Sequence, residues 1–165
     1  MPTKKFERFE TLCKAYTNYV SDKKTYRDDC DLAANLISQK LSTYLGASKK
    51  AIMIADEVEL VENGFYHYRM RLILKHQTEK ELKYNIEIDL FIARNKGHFV
   101  IHLSSTGRSF LVHKKYVCNE VGGVEQRNDI EELCEVIFLR IMRYFETPIE
   151  DILNKNTLDR IKFNI

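Results

Sequence analysis

Residues 66–75 read YHYRMRLILK, and residues 82–92 read LKYNIEIDLFI. Apolar and polar side chains alternate in both. Tyr66, Tyr68, Met70, Leu72 and Leu74 share one parity; His67, Arg69, Arg71 and Lys75 share the other. In the second run Leu82, Tyr84, Ile86, Ile88, Leu90 and Ile92 alternate with Lys83, Asn85, Glu87 and Asp89. A period of two marks a strand with one buried face. Two such runs joined by a short polar stretch predict an antiparallel hairpin.

The pattern continues downstream. After Asn95-Lys96-Gly97 come Phe99, Ile101 and Leu103, and after Thr106-Gly107 come Phe110 and Val112. Upstream, Ala51 to Val61 reads as a poorly alternating first strand before the Glu62-Asn63-Gly64 turn. The sum is an antiparallel meander of four to five strands with one apolar face.

Residues facing each other across a sheet must share a side, which constrains the register. For the hairpin through Gln77 to Lys80, pairing Leu72 with Tyr84 sets Arg69 opposite Glu87 and His67 opposite Asp89. A shift of two residues gives Arg69 with Asp89 and Arg71 with Glu87, equally complementary. A four-residue loop from Arg94 to Gly97 sets Leu90 against Ile101 and Asp89 against His102. A two-residue Thr106-Gly107 turn sets Leu103 against Phe110. All of these keep the same face apolar.

Helical periodicity flanks the meander. Phe6, Phe9, Leu12, Cys13, Tyr16, Tyr19 and Val20 predict an amphipathic helix from about Lys4 to Val20. After a break at Ser21 to Lys24, Thr25 and Asp28 resemble a capping box for a second helix. Its stripe runs Tyr26, Cys30, Ala33, Ile37, Leu41, Tyr44 and Leu45, with Gly46 as its stop. These two are expected to form an αα-hairpin.

Beyond a loop from Lys115 to Arg127, Asn128 and Glu131 box the start of a third helix carrying Ile130, Leu133, Cys134, Ile137, Phe138, Ile141, Met142 and Phe145. Thr147-Pro148 ends it and opens a short fourth helix. Leu158 to Ile165 reads as an edge strand or a docking tail. One apolar sheet face and several amphipathic helices predict a single α+β domain over residues 1–165, a two-layer sandwich in the order ααββββ(β)αα.

Composition narrows the function. The 165 residues carry 26 Lys plus Arg against 24 Asp plus Glu, a formal charge of +2. So even a balance argues against a nucleic-acid partner, since binding a phosphate backbone calls for a strong positive field. The pairs Lys4-Lys5, Lys23-Lys24, Lys49-Lys50 and Lys114-Lys115 read as solvated charge near element ends. Cys13, Cys30, Cys118 and Cys134 form no C-x-x-C and show no zinc-finger spacing with histidine. With no signal-peptide pattern at Met1 to Phe9 and no membrane-length apolar run, four free thiols in the cytoplasm and no membrane association are expected.

The chain holds no P-loop, dinucleotide fingerprint, H-E-x-x-H, G-x-S-x-G or calcium loop. No cofactor is implied, and the reading points away from an enzyme. Chemistry would have to come from the sheet's polar face. In the first register Asp89 lies between His67 and His102, a His-Asp-His arrangement for a metal or for a carboxylate-oriented base. The plainer reading is a polar cross-strand ladder. Phe65, Ile73, Phe91, Val100 and Leu111 are placed on that face beside His67, Arg69, Arg71, Glu87 and His102.

Such a mixed surface suits a protein partner or a second copy of the chain. Coverage by the chain's own fourth helix, C-terminal tail or first strand is the alternative. Phe65 and Phe91 with Arg69 and Arg71 are also the parts of a base-stacking platform, though no RNP-like sequence accompanies them. Cys118, following His113, Lys114 and Lys115, is a candidate reactive thiol. Gly122-Gly123 is a candidate hinge. The function expected is a small cytosolic binding module, of adaptor, chaperone-like or inhibitor type, acting through the sheet face on a protein partner or on a second copy as a homodimer; the alternative is an enzyme or a metal or small-ligand binder using His67, Asp89 and His102.

Overall fold

The computed structural model describes residues 3–104, 106–117, 128–148 and 163–164. One long helix, α1 (Thr3–Tyr44), leads into the sheet. The strands are β1 (Ile52–Ile54), β2 (Glu59–Leu60), β3 (Tyr66–Lys75), β4 (Lys83–Asn95), β5 (His98–Leu103) and β6 (Arg108–His113). A single helical turn, α2 (Lys114–Val117), follows, then α3 (Ile130–Glu146) and β7 (Phe163–Asn164).

The sheet runs β1-β3-β4-β5-β6, every neighbour antiparallel. β2 continues beside β3 beyond β1, and β7 lies along the early part of β4. The chain is therefore an α+β protein with an antiparallel meander, as the alternation requires. The expected first strand is broken into β1 and β2. Of the tail, Phe163 and Asn164 take the strand alternative; the remainder lies outside the described residues, as do Cys118, Gly122-Gly123 and the body of the fourth helix.

The inner sheet face forms the core. Tyr68, Met70, Ile86, Leu90, Ile92, Phe99, Ile101 and Phe110 are all essentially inaccessible. Against them α1 sets Cys30, Ala33, Ala34, Ile37 and Leu41, and α3 sets Ile130, Leu133, Cys134, Ile137 and Ile141. Ala33 and Ala34 have no side chain beyond Cβ, which lets α1 lie close to the strands. Each buried Leu, Ile or Phe contributes roughly 1.5–3 kcal/mol relative to exposure.

The expected αα-hairpin is not formed. Residues 21–24 contain neither Gly nor Pro, and the backbone stays helical through them. Only the second half of α1 meets the sheet. Residues 7–25 are all exposed, and the first partly buried positions are Tyr26 and Arg27. The helical arm from Thr3 to Thr25 is about 34 Å long at 1.5 Å per residue.

A polar collar fixes α1 where it enters the body. Tyr26 Oη donates to Gly64 O at 2.7 Å and accepts from the Arg94 amide at 3.1 Å. Tyr68 Oη donates to Asp31 at 2.6 Å. Asp29 takes both Arg94 and, at 3.4 Å, Lys114 Nζ. The Cys30 thiol reaches Ile92 O at 3.8 Å.

Both helix boundaries have identifiable chemistry. At the end of α1, Gly46 N donates to Thr43 O and Ala47 N to Ser42 O, the paired bonds of a Schellman motif, with Gly46 at φ +62°. The start of α3 is shifted one residue from expectation. Asn128 Oδ1 accepts from Ile130 N, while Asp129 occupies the cap position and turns its carboxylate to Leu111 N at 2.9 Å. Asn128 and Asp129 thus fasten α3 to β6 as well as opening it.

The register differs from the first alternative by two residues in each hairpin. Leu72 pairs with Ile86, so Arg69 faces Asp89 and Arg71 faces Glu87, the second alternative. His76 explains the wider turn, since its Nδ1 accepts from Glu79 N at 3.0 Å and the His76 amide still reaches Leu82 O. At β4–β5 a tight Lys96-Gly97 turn brings Leu90 to Leu103 and Phe91 to His102. At β5–β6, Leu103 pairs with Arg108 instead of Phe110, because Thr106 closes the turn onto Leu103 O and Arg108 N. An even shift leaves every side chain on its expected face.

Replacing Gly46 by Ala is expected to lower stability by roughly 1–2 kcal/mol, because the site demands a left-handed backbone that Cβ disfavours. No atom lies within 4 Å of the new Cβ, so the cost is conformational. Gly46→Asn should cost less, and urea unfolding of both variants compares them.

Candidate functional site

The outer face of the sheet is built from the alternate residues of β3, β4, β5 and β6. Neither α1 nor α3 packs on it. His67, Phe91, His102 and Ser109 stand in one row across four strands. The His67 ring stacks on Phe91 at 4.7 Å between centroids, and Phe91 meets His102 at 6.4 Å. His102 Nδ1 lies 3.3 Å from Ser109 Oγ. The aromatic ring of Phe91 therefore separates the two histidines.

Asp89 sits in the next row, opposite Arg69. His67 Nε2 reaches it diagonally and donates at 2.8 Å. The expected His-Asp-His cluster is accordingly reduced to a His67–Asp89 pair: the two-residue shift sets both histidines opposite Phe91, from where His67 still reaches Asp89 while His102 turns to Ser109. Among the described residues no group of three His, Cys, Asp or Glu side chains is placed to hold a metal ion.

Charge on this face is locally balanced. Arg69 Nε lies 3.5 Å from Asp89 Oδ1 and 3.8 Å from Glu87 Oε2. Arg71 Nη2 donates to Glu87 Oε1 at 3.3 Å. Glu87 is only 6% exposed, so its desolvation is offset by two guanidinium groups. His67, Arg69, Arg71, Glu87 and Asp89 form one cross-strand network, the plainer of the two readings of the polar ladder. Phe65, Ile73, Val100 and Leu111 are each half-buried at its margins. An imidazole held by a carboxylate can act as a base, but here Arg69 shares that carboxylate and the ring is stacked on Phe91.

A second surface lies on α1. Phe9, Leu12, Tyr16 and Tyr19 are 63–69% exposed, and Val20 and Cys13 are exposed beside them. They recur at spacings of three and four, on one side of the helix. The sequence shows this stripe plainly, but amphipathic spacing does not say which neighbour buries it. The signal for exposure is the unbroken helical phase from Tyr19 through Tyr26 to Cys30, which a hairpin would interrupt.

The described thiols divide by environment. Burial pushes Cys30 up to about 12 and Cys134 up to about 11. Both are buried core residues, whereas Cys13 is exposed on the arm. Burial also raises the Tyr68 phenol, and its bond to Asp31 adds to the shift.

Comparison with protein-family models, with curated proteins and with solved structures finds no match to this chain.

Two outcomes are expected from this geometry. The double substitution Arg69→Ala, Arg71→Ala should destabilise more than Glu87→Gln, about 2–3 kcal/mol against about 1, because it strands a buried carboxylate while the converse change leaves half-exposed cations in water. Chemical denaturation of the two variants tests the order. In a Cys118→Ser background at pH 8, one thiol, Cys13, should react quickly with a disulfide reagent and the other two only on unfolding. Above pH 9 the unfolded chain ionises Cys30 first, so stability should fall as pH rises from 9 toward 12.

Proposed function

We propose that the chain is a non-catalytic association module of the cytoplasm that works by binding protein, with the exposed arm of α1 as its principal contact. The observation that carries this reading is the run of large apolar side chains at Phe9, Leu12, Tyr16 and Tyr19 on a helix exposed throughout residues 7–25. Exposed apolar stripes of this kind serve helix-in-groove or helix–helix recognition. A solvated helix gains nothing from them.

The arm's composition supports the same reading. It holds β-branched Thr11, Thr17, Val20 and Thr25 and two tyrosines, and its first turn has no acidic residue to complement the helix dipole. β-branched and aromatic residues lower helix propensity, and helices in proteins draw most of their stability from packing an apolar face. The outer sheet face is a secondary surface in this proposal, since its charges already satisfy one another. Of the three side chains of the metal-binding alternative, His67 and Asp89 are together, and among the described residues no third ligand joins them. Among the described residues no helix is long and apolar enough to cross a membrane.

A photo-crosslinking amino acid placed at Tyr16, and separately at Val100, tests this in the native cell. Protein-sized adducts from position 16 are expected, in excess of those from position 100. Adducts from position 100 alone would return the contact to the sheet face. An absence of adducts from both positions would end the proposal.

A further inference from the structure

We infer that the occupant of the α1 arm is a second copy of this chain, its own arm laid antiparallel along the first about a two-fold axis. This rests on the association reading above and names its partner. Three observations carry it.

The first is the phase of the stripe. Leu12–Tyr19 continues by sevens into Tyr26–Ala33, and Phe9–Tyr16, interrupted once by Lys23, resumes in the same phase at Cys30–Ile37. Over three heptads a straight helix drifts only about 60°, less than the width of an apolar stripe of about 100°. The arm therefore points its stripe into the space directly beyond the edge of its own sheet. A partner helix fits there. A parallel partner would bring its sheet to the level of this sheet and on the same side of the helices, where the two collide. An antiparallel partner carries its sheet past Thr3, clear of the first.

The second is side-chain complementarity. In an antiparallel pair, Phe9 packs against the partner's Tyr19 and Leu12 against the partner's Tyr16, with the reciprocal contacts following from symmetry. On one flank Ala15 meets the partner's Ala15, permitting close approach, and Arg8 meets the partner's Asp22, an attraction formed twice. On the other flank the two Cys13 side chains straddle the axis.

The third is extent. A fully buried aromatic side chain contributes about 150–250 Å². Three aromatics about two-thirds exposed on each arm, with Leu12 and Val20, bring the total for two arms to about 1,200 Å², the lower bound for a specific interface.

Sedimentation of the full chain across a micromolar concentration series should give twice the 19.5 kDa monomer mass. Leu12→Glu with Tyr16→Glu should weaken association more than about thirtyfold, the scale of a lost hot spot. The sheet domain of that variant should keep its near-ultraviolet spectrum and unfolding midpoint, since both sites are exposed. Arg8→Asp should weaken association several-fold, and adding Asp22→Arg should restore it. In a Cys118→Ser background a short bis-maleimide should join two chains through Cys13. A monomer at every concentration would overturn the second copy, and adducts of other masses at Tyr16 would then leave the association reading standing. A dimer that ignores the charge exchange, or that yields no Cys13 cross-link, would overturn the antiparallel arrangement.

Discussion

The sheet must hide one face from water, and the second half of α1 is what hides most of it. Tyr68, Met70, Ile86, Ile88 and Leu90 are covered only because Cys30, Ala33, Ala34, Ile37 and Leu41 lie over them, with α3 completing the layer. The apolar area is the driving term, and the small side chains of the helix set the distance. Everything else is arranged around that contact. The Tyr26, Asp29 and Asp31 hydrogen bonds and ion pairs place the helix along its length, and the Gly46 turn releases the chain toward β1 once the contact is complete.

The layers were legible because alternation survives errors in register. Each of the three hairpins slips by two residues from the first reading, yet Ile86, Ile101 and Phe110 still face inward. Turn geometry decides the slip, and that depends on details such as the His76 ring accepting an amide, which no pattern of polarity records. The end of α1 was legible in Gly46, since a left-handed residue there leaves little choice. The start of α3 was nearly so; Asp129 was diverted to Leu111 by a strand that sequence alone does not place beside it.

The candidate site was legible in membership but not in arrangement. His67, Asp89 and His102 do share a face, but a slip of two residues on each side of β4 moves both histidines from Asp89 to Phe91, and of the two His67 alone still reaches the carboxylate. The same slip pairs Arg69 with Asp89 and Arg71 with Glu87, which turns a potential ligand set into a self-neutralising ladder. The stripe at Phe9 to Val20 was also visible. Its destination was misjudged because a pause in hydrophobicity at Ser21 to Lys24 resembles a turn, although those residues are all compatible with a helix. Periodicity reports which side of a helix is greasy; only the third dimension reports whether anything stands against it.

An unbroken helix of 42 residues, without Gly or Pro between its ends, is a stiff rod about 63 Å long. It is clamped along one half and free along the other. Such a rod is a lever, with its fulcrum at the ring of polar contacts around Tyr26 and Asp29. A sideways pull on the tip near Thr3 is delivered as torque to Arg94 and to the turn at Gly64, on the side of the sheet opposite to the His67–Phe91 stack. The tip of the rod is thereby coupled to the middle strand of the sheet through one stiff element.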